Sequence, residues 1–133
     1  ADELVVAVSL PRAAAGVAPG RRHGAAYKVA KRQTDDISIV AAVFDLVVDD
    51  ERRVTQARLA YGGVAAIPRR ALRTEAFLAG RVLDAATIDQ AQALLREEFQ
   101  PLSDHRASAD YRRALCATLF AKFVAAHLPG ADA

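Results

Sequence analysis

The residues best suited to chemistry sit in one short stretch, "YKVAKRQTDDIS", residues 27–38. Two cations, Lys31 and Arg32, are followed within four positions by two adjacent carboxylates, Asp35 and Asp36. The apolar run "ISIVAAVF" comes directly after. A plain hairpin needs only a short turn built on Gly or Asn. Two cations and two anions within six residues at the mouth of an apolar strand therefore call for a reason. The spacing taken alone favours a simple one. Carboxylates ahead of a strand accept hydrogen bonds from nearby backbone amides and stop the strand from extending.

Other candidates are sparse. Cys116 is the single cysteine, so no intrachain disulfide can form, and a reducing cytoplasm is the natural home. It lies in the helical pattern "RRALCATLF" with no His nearby in sequence, which predicts a buried, inert thiol. His23, His105 and His127 are isolated and show no metal-ligand spacing. No G-x-S-x-G, Walker loop or G-x-G-x-x-G occurs. Gly62-Gly63 is read as a tight strand-to-helix turn rather than a phosphate cradle. The arginine doublets at 21–22, 52–53, 69–70 and 112–113 are scattered and answered by 16 acids, so the net charge of +2 predicts solvated surface and no nucleic-acid face.

The elements that must position the charged stretch follow from periodicity. With 133 residues, 53% hydrophobic and 26% charged, the chain suits one globular domain over 1–133. No apolar run reaches the roughly 20 residues of a bilayer span, and "ADELVVAVSLP" lacks the basic start of a signal peptide. Strands are expected over about 3–61. The first is "ELVVAVSLP", ended by Pro11, and an irregular loop "AAAGVAPGRRHG" follows. The second runs from His23 to Ala30 and the third from Ile37 to Val48. The third is apolar at both parities, which predicts burial on both faces. "DDER" is a polar turn, and "RVTQARLAYGG" is the fourth strand, in a hairpin with the third.

Helices are expected over about 69–128. Pro68 suits a first helical turn and Gly80 a helical stop. Asp84 is a candidate N-cap for a helix carrying Ile88, Ala91, Leu95 and Phe99, ended by Pro101. Ser108 marks the start of the last and longest helix. There Tyr111, Leu115, Leu119 and Phe123, with Phe120, Val124 and Leu128, form a wide apolar face. Strands first and helices after predict an α+β domain. It has an antiparallel sheet of three to four strands with about three helices packed on it.

Three segments carry a resemblance: "YKVAKRQTDDIS", "ARLAYGGVAAIPRRA" continuing to "TEAFLAGR", and "PLSDHRASADYRRALCATLFAKF". In this order and spacing the chain resembles the C-terminal domain of the FAD-binding (small) subunit of bacterial xanthine dehydrogenase, in the molybdenum hydroxylase family. The likeness covers essentially the whole chain, with Ile67 where Thr is frequent and Ala30 where Ser is frequent. It implies a fold like the CO dehydrogenase flavoprotein C-terminal domain, and membership of an NAD-dependent oxidoreductase that is inactive as this chain alone. In such enzymes a molybdopterin-binding subunit oxidises the purine. Electrons pass through 2Fe-2S clusters to FAD, which reduces NAD. FAD is held mainly by the preceding domain. The implied partners are therefore the N-terminal FAD and iron–sulfur domains, the molybdopterin subunit and NAD, with no nucleic acid and no membrane.

The resemblance also gives the charged stretch a role. In animal relatives the segment matching 29–38 is a mobile loop beside the isoalloxazine ring that decides whether NAD reaches the flavin. The matching cofactor-side residues are Lys28, Asp35, Asp36 and Ile37, with Lys31 and Arg32 between them and Val5 from the first strand. Gln33 stands where the animal enzymes carry Arg. Two other readings stay open: the same domain in a different molybdenum hydroxylase, acting on another heterocycle or of the carbon monoxide dehydrogenase type, and a non-catalytic assembly domain.

Overall fold

Alternation along one strand decides where the core lies. In the computed structural model, which describes residues 4–9, 20–32 and 35–128, strand β2 runs Val40–Val48. Val40, Ala42, Phe44, Leu46 and Val48 lie on one side, and all are buried. On the other side Val43 is 55% exposed, although Val47 is fully buried. The expectation of burial on both faces is therefore corrected. Helices cover one side of the sheet only, as antiparallel sheets permit. The strand also starts three residues later than expected, because 37–39 belong to the preceding loop.

β1 (Arg21–Val29) and β3 (Val54–Gly62) flank β2, and β4 (Arg69–Arg70) completes the order β1-β2-β3-β4, all antiparallel. The expected hairpin between the third and fourth predicted strands is present as β2–β3. Its polar turn closes with Arg52 N–H donating to Asp49 O at 3.0 Å, while Asp49 Oδ1 accepts from the amides of Glu51 and Arg53. The described part of the strand expected at "ELVVAVSLP", residues 4–9, is not in this sheet. Among its described residues, Leu4, Val5, Val6 and Val8 are 77–88% exposed and in no regular element. The rest of that segment, the loop to Pro19 and the "PGADA" tail after Leu128 lie outside the described residues.

Pro68 does not open a helix. Arg69 and Arg70 pair with Tyr61 and Ala60 as β4, and helix α1 begins at Leu72. Glu75 of α1 is buried and accepts from Leu59 N–H at 2.7 Å and from the Arg70 guanidinium. This carboxylate ties α1 to β3 and to the edge strand β4. Gly80, at φ +76°, takes the left-handed position that ends α1. Asp84 caps α2 (Ala85–Glu98) by accepting from Thr87 N–H, and Ser108 caps α3 (Ala109–His127) by accepting from Tyr111 N–H. Both expected caps are thus present.

The core joins β2 and β3 to α2 and α3. Phe44 is its hub, with ring centroids of Tyr27, Tyr61, Phe120 and Phe123 at 5.3–6.2 Å. On α3 the expected apolar face holds from Cys116 to Leu128, where Leu119, Phe120, Phe123 and Val124 are buried. It fails at Tyr111, which is 47% exposed, while its neighbour Arg112 is buried at 5%. Of the doublet 112–113, Arg112 is therefore not the solvated surface expected, whereas Arg113 is part-exposed and pairs with Asp110.

Candidate functional site

Three connections meet at one end of the sheet: 30–39 between β1 and β2, 63–68 between β3 and β4, and 99–108 between α2 and α3. The first carries the charged stretch. Its base is closed by Ile39 N–H donating to Val29 O at 2.7 Å, which continues the β1–β2 ladder.

The two aspartates do different work there. Asp36 turns inward: Oδ2 accepts from Arg32 N–H at 3.0 Å and Oδ1 from Ile37 N–H at 2.8 Å. The Arg32 amide, aided by the Ile37 amide and the Arg32 charge, holds this carboxyl below the ordinary Asp value. Asp36 is the local capping device that the spacing suggested. Asp35 differs. It is exposed, and its carboxylate makes no hydrogen bond or ion pair among the described residues. Its backbone sits at φ +50°, in the left-handed region that a residue with a Cβ enters at a cost. Gln33 and Thr34 lie outside the described residues.

The cations divide as well. Lys31 Nζ donates to His105 O at 2.9 Å, across 74 residues of sequence. Arg32 stays with its own loop, with Nη2 reaching Asp35 O at 3.5 Å. Lys28 is exposed in β1, opposite Ala41. Lys28, Val29, Ala30, Lys31 and Arg32 line a cleft of 440 Å³. A second cleft, of 290 Å³, lies on the other side of the loop exit, between Ile37, Ser38, Ala65, Leu102 and Arg106. Ile37 is 62% exposed. The structure thus brings Lys28, Asp35, Asp36 and Ile37 to one end of the sheet. Val5 is in the exposed 4–9 segment and joins neither the sheet nor the core.

Residues that sequence reasoning passed over hold this end together. Arg112 Nη1 donates to Ile39 O at 2.5 Å and to Gly63 O at 3.0 Å, and Nη2 donates to Asp104 Oδ1 at 2.9 Å. Asp104 Oδ1 also accepts from the amides of Arg106 and Ala107. Those amides, then Arg112, pull its carboxyl down to about 2. Gly63 has φ +79°, and a Cβ there would lie 2.3 Å from Ile39 O. The turn expected at Gly62-Gly63 exists, but it leads to β4 rather than to a helix, and its glycine permits backbone contact. Asp104 two and three residues ahead of its amide donors is a legible turn signature. The burial of Arg112 has no local signal.

The other chemical candidates are inert or apart. Burial pushes the Cys116 thiol up to about 12. Tyr61 Oη donates to Cys116 O at 2.9 Å. Among the described residues no group of three or more His, Cys, Asp or Glu is placed to hold a metal ion. None of the helices described is long and apolar enough to cross a membrane.

The profile of the CO dehydrogenase flavoprotein C-terminal domain matches residues 25–127. Xanthine dehydrogenase of Blastobotrys adeninivorans is 42% identical over 103 residues, covering 74% of this chain and 7% of the relative. Nicotinate hydroxylase hnxS of Emericella nidulans is 41% identical over 102 residues, covering 74% of this chain and 8% of the relative. This chain thus spans less than a tenth of either protein. The crystal structure of quinoline 2-oxidoreductase from Pseudomonas putida 86 superposes with a TM-score of 0.69 at 30% identity, over 83% of this chain and 38% of that one. CO dehydrogenase from Oligotropha carboxidovorans superposes with a TM-score of 0.68 at 26% identity, over 76% and 35%. The likeness extends over enzymes of several substrates, so it does not single out the xanthine dehydrogenase small subunit. The chain belongs to the CO dehydrogenase flavoprotein C-terminal domain family, as a C-terminal flavoprotein domain of the molybdenum hydroxylases.

Proposed function

We propose that this chain covers the ring side of the flavin in a molybdenum hydroxylase whose FAD passes electrons to NAD. The observation that carries this reading is the split between the two aspartates. A loop that needed only a cap has one in Asp36, yet it also holds Asp35 exposed on a left-handed backbone. The residues present fit one face of a flavin ring system: exposed Ile37 supplies an apolar surface, and Asp35 beside it supplies a negative charge. They do not fit its diphosphate, since the sequence holds no glycine-rich phosphate loop. FAD would therefore be held mainly by the preceding domain of the same subunit. When bound, FAD accepts electrons from the iron–sulfur side and supplies hydride to NAD.

Within that arrangement each residue has a physical task. Asp35 disfavours added negative charge on the ring and favours a cationic nicotinamide near it. Asp36 keeps the loop in shape, Lys28 and Lys31 balance the charge at its entrance, and Ile37 excludes water from the ring face. Val5 would reach the cofactor only through a partner domain. The partners are the FAD and iron–sulfur domains and a molybdopterin-binding subunit, in the cytoplasm, and 1–133 is one domain of that assembly. Purine oxidation is the first substrate reading. A second is another heterocycle, because the nicotinate enzyme at 41% identity stands level with the xanthine enzyme at 42%.

The test uses the FAD-loaded flavoprotein that contains this chain, assembled with its partners. Asp35→Asn should lower NAD reduction several-fold, while substrate oxidation with an artificial acceptor at the molybdenum end persists. NAD reduction equal to the parent's, at full FAD occupancy, would leave Asp35 without this role.

A further inference from the structure

The charged loop is held from behind by a ring of contacts that its own sequence does not contain. It runs from Lys31 to His105 O, along the turn to Asp104, across to Arg112, and back to Ile39 O at the loop's exit. The loop's entrance rests on this turn directly, and its exit reaches it through Arg112. The contacts are unequal. Arg112 is 5% exposed, and its guanidinium also holds Gly63 O. Its Nε is buried and has no hydrogen-bond partner among the described residues. Lys31, by contrast, is exposed, and its ammonium makes one hydrogen bond among the described residues.

We infer that Arg112, braced by Asp104, is the positioning residue of the charged loop. It locks the exit at Ile39, and Lys31 on His105 O is the releasable contact at the entrance. The role at a flavin rests on the reading proposed above, whereas the anchoring itself does not. Arg112 touches no reacting atom in this account. It fixes Ile39 and the Gly63 turn, and through them the position from which Asp35 and Ile37 are presented. Lysine cannot replace it, because a point ammonium cannot serve two carbonyls and a carboxylate from a planar fork.

The test is amide hydrogen exchange on the full 133-residue chain and on its Arg112→Lys, Asp104→Asn and Lys31→Gln variants. In Arg112→Lys and Asp104→Asn, exchange over 35–39 and 63–67 should rise at least about tenfold while α2 and the middle of β2 stay as in the parent. Lys31→Gln should loosen 30–37 and leave 63–67 unchanged. If Arg112→Lys does not fold, the two variants at more exposed side chains decide. Parent-like exchange of the loop in both, or an equal rise over the whole chain, overturns the anchoring.

A second readout uses the assembled, FAD-loaded flavoprotein. Asp104→Asn should slow NAD reduction at least about threefold, as a small misplacement near a reacting group does. Parent-like NAD reduction in Asp104→Asn, where Asp35→Asn lowers it, overturns the positioning role. Parent-like reduction in both, with the loop still loosened, removes the flavin reading and leaves the anchoring in place.

Discussion

Strand β2 enters and leaves the sheet through connections built from the same local parts. At its C-terminal end, the 49–53 turn uses Asp49 to bind its own amides and places Arg52 at φ +63°. At its N-terminal end, the 30–39 loop uses Asp36 to bind its own amides and places Asp35 at φ +50°. The difference lies in how each is tied to the helices. The turn end is joined to the α1–α2 link by three backbone bonds, Gly80 N–H to Val54 O, Val54 N–H to Arg81 O and Leu83 N–H to Arg52 O, at 2.8–3.0 Å, to which Arg53 Nη1 on Gly80 O and Arg52 Nη2 on Leu83 O are added. The loop end is joined by side chains, Lys31 to His105 O and Arg112 to Ile39 O. Backbone ties survive most substitutions and hold one geometry. Side-chain ties can be tuned or released one at a time, which suits a segment whose position carries function.

Substitutions can break this comparison, starting with the one shared by both ends. Phe44→Ala removes the aromatic hub and should cost about 3–5 kcal/mol in a denaturant melt, with both ends lost in a single transition. A melt in which the turn end outlasts the loop would show that the core does not couple them. Next, Arg112→Met strands two carbonyls and a carboxylate and should cost about 1.5–3 kcal/mol, the range for hydrogen bonds to charged groups. Losses confined to β3 and α1 would contradict the assignment of Arg112 to the loop end.

Acid acts on the loop end by a smaller amount. The carboxyls of Asp36 and Asp104 lie below their ordinary value of 3.8, and that of Asp104 at about 2. A depressed carboxylate contributes stability above its unfolded pKa and loses it as pH falls through the folded one. The loop end should therefore loosen between about pH 4 and pH 2, and Asp104→Asn should flatten that part of the profile. An unchanged acid profile for Asp104→Asn would remove this link. Smallest of all is the relief of left-handed strain. Asp35→Gly should stabilise the chain by about 0.5–1 kcal/mol. Arg52→Gly should gain less, because Arg52 Nη2 also holds Leu83 O at 3.0 Å. Equal gains at both positions would mean that the Leu83 contact contributes nothing.

What the sequence revealed follows the same division between local and distant causes. The caps at Asp84 and Ser108, the stop at Gly80 and the amide-binding use of Asp36 each depend on residues within four positions, and each was legible. The two-residue strand Arg69–Arg70 was not, because its pairing with Ala60–Tyr61 overrides the helical start that Pro68 suggests. Nor was the open face of β2, since alanines and valines at both parities do not say how many layers cover a sheet. Arg112 reads as one half of a surface doublet. Its burial depends on carbonyls 49 and 73 residues away. The family likeness identified the charged loop, while the separate tasks of its two aspartates came from the geometry.

The most direct test of the central claim is the flavin midpoint potential in the assembled, FAD-loaded flavoprotein, comparing Asp35→Asn with Asp36→Asn. One carboxylate within about 6 Å of the ring, at an effective dielectric of about 20 and discounted for solvent, shifts that potential by roughly some tens of millivolts. The account predicts a rise of this size for Asp35→Asn, because reduced flavin no longer meets a negative neighbour. It predicts a smaller change for Asp36→Asn, whose charge is spent on the loop's own amides. An unshifted potential in Asp35→Asn, or a larger shift in Asp36→Asn, would contradict it.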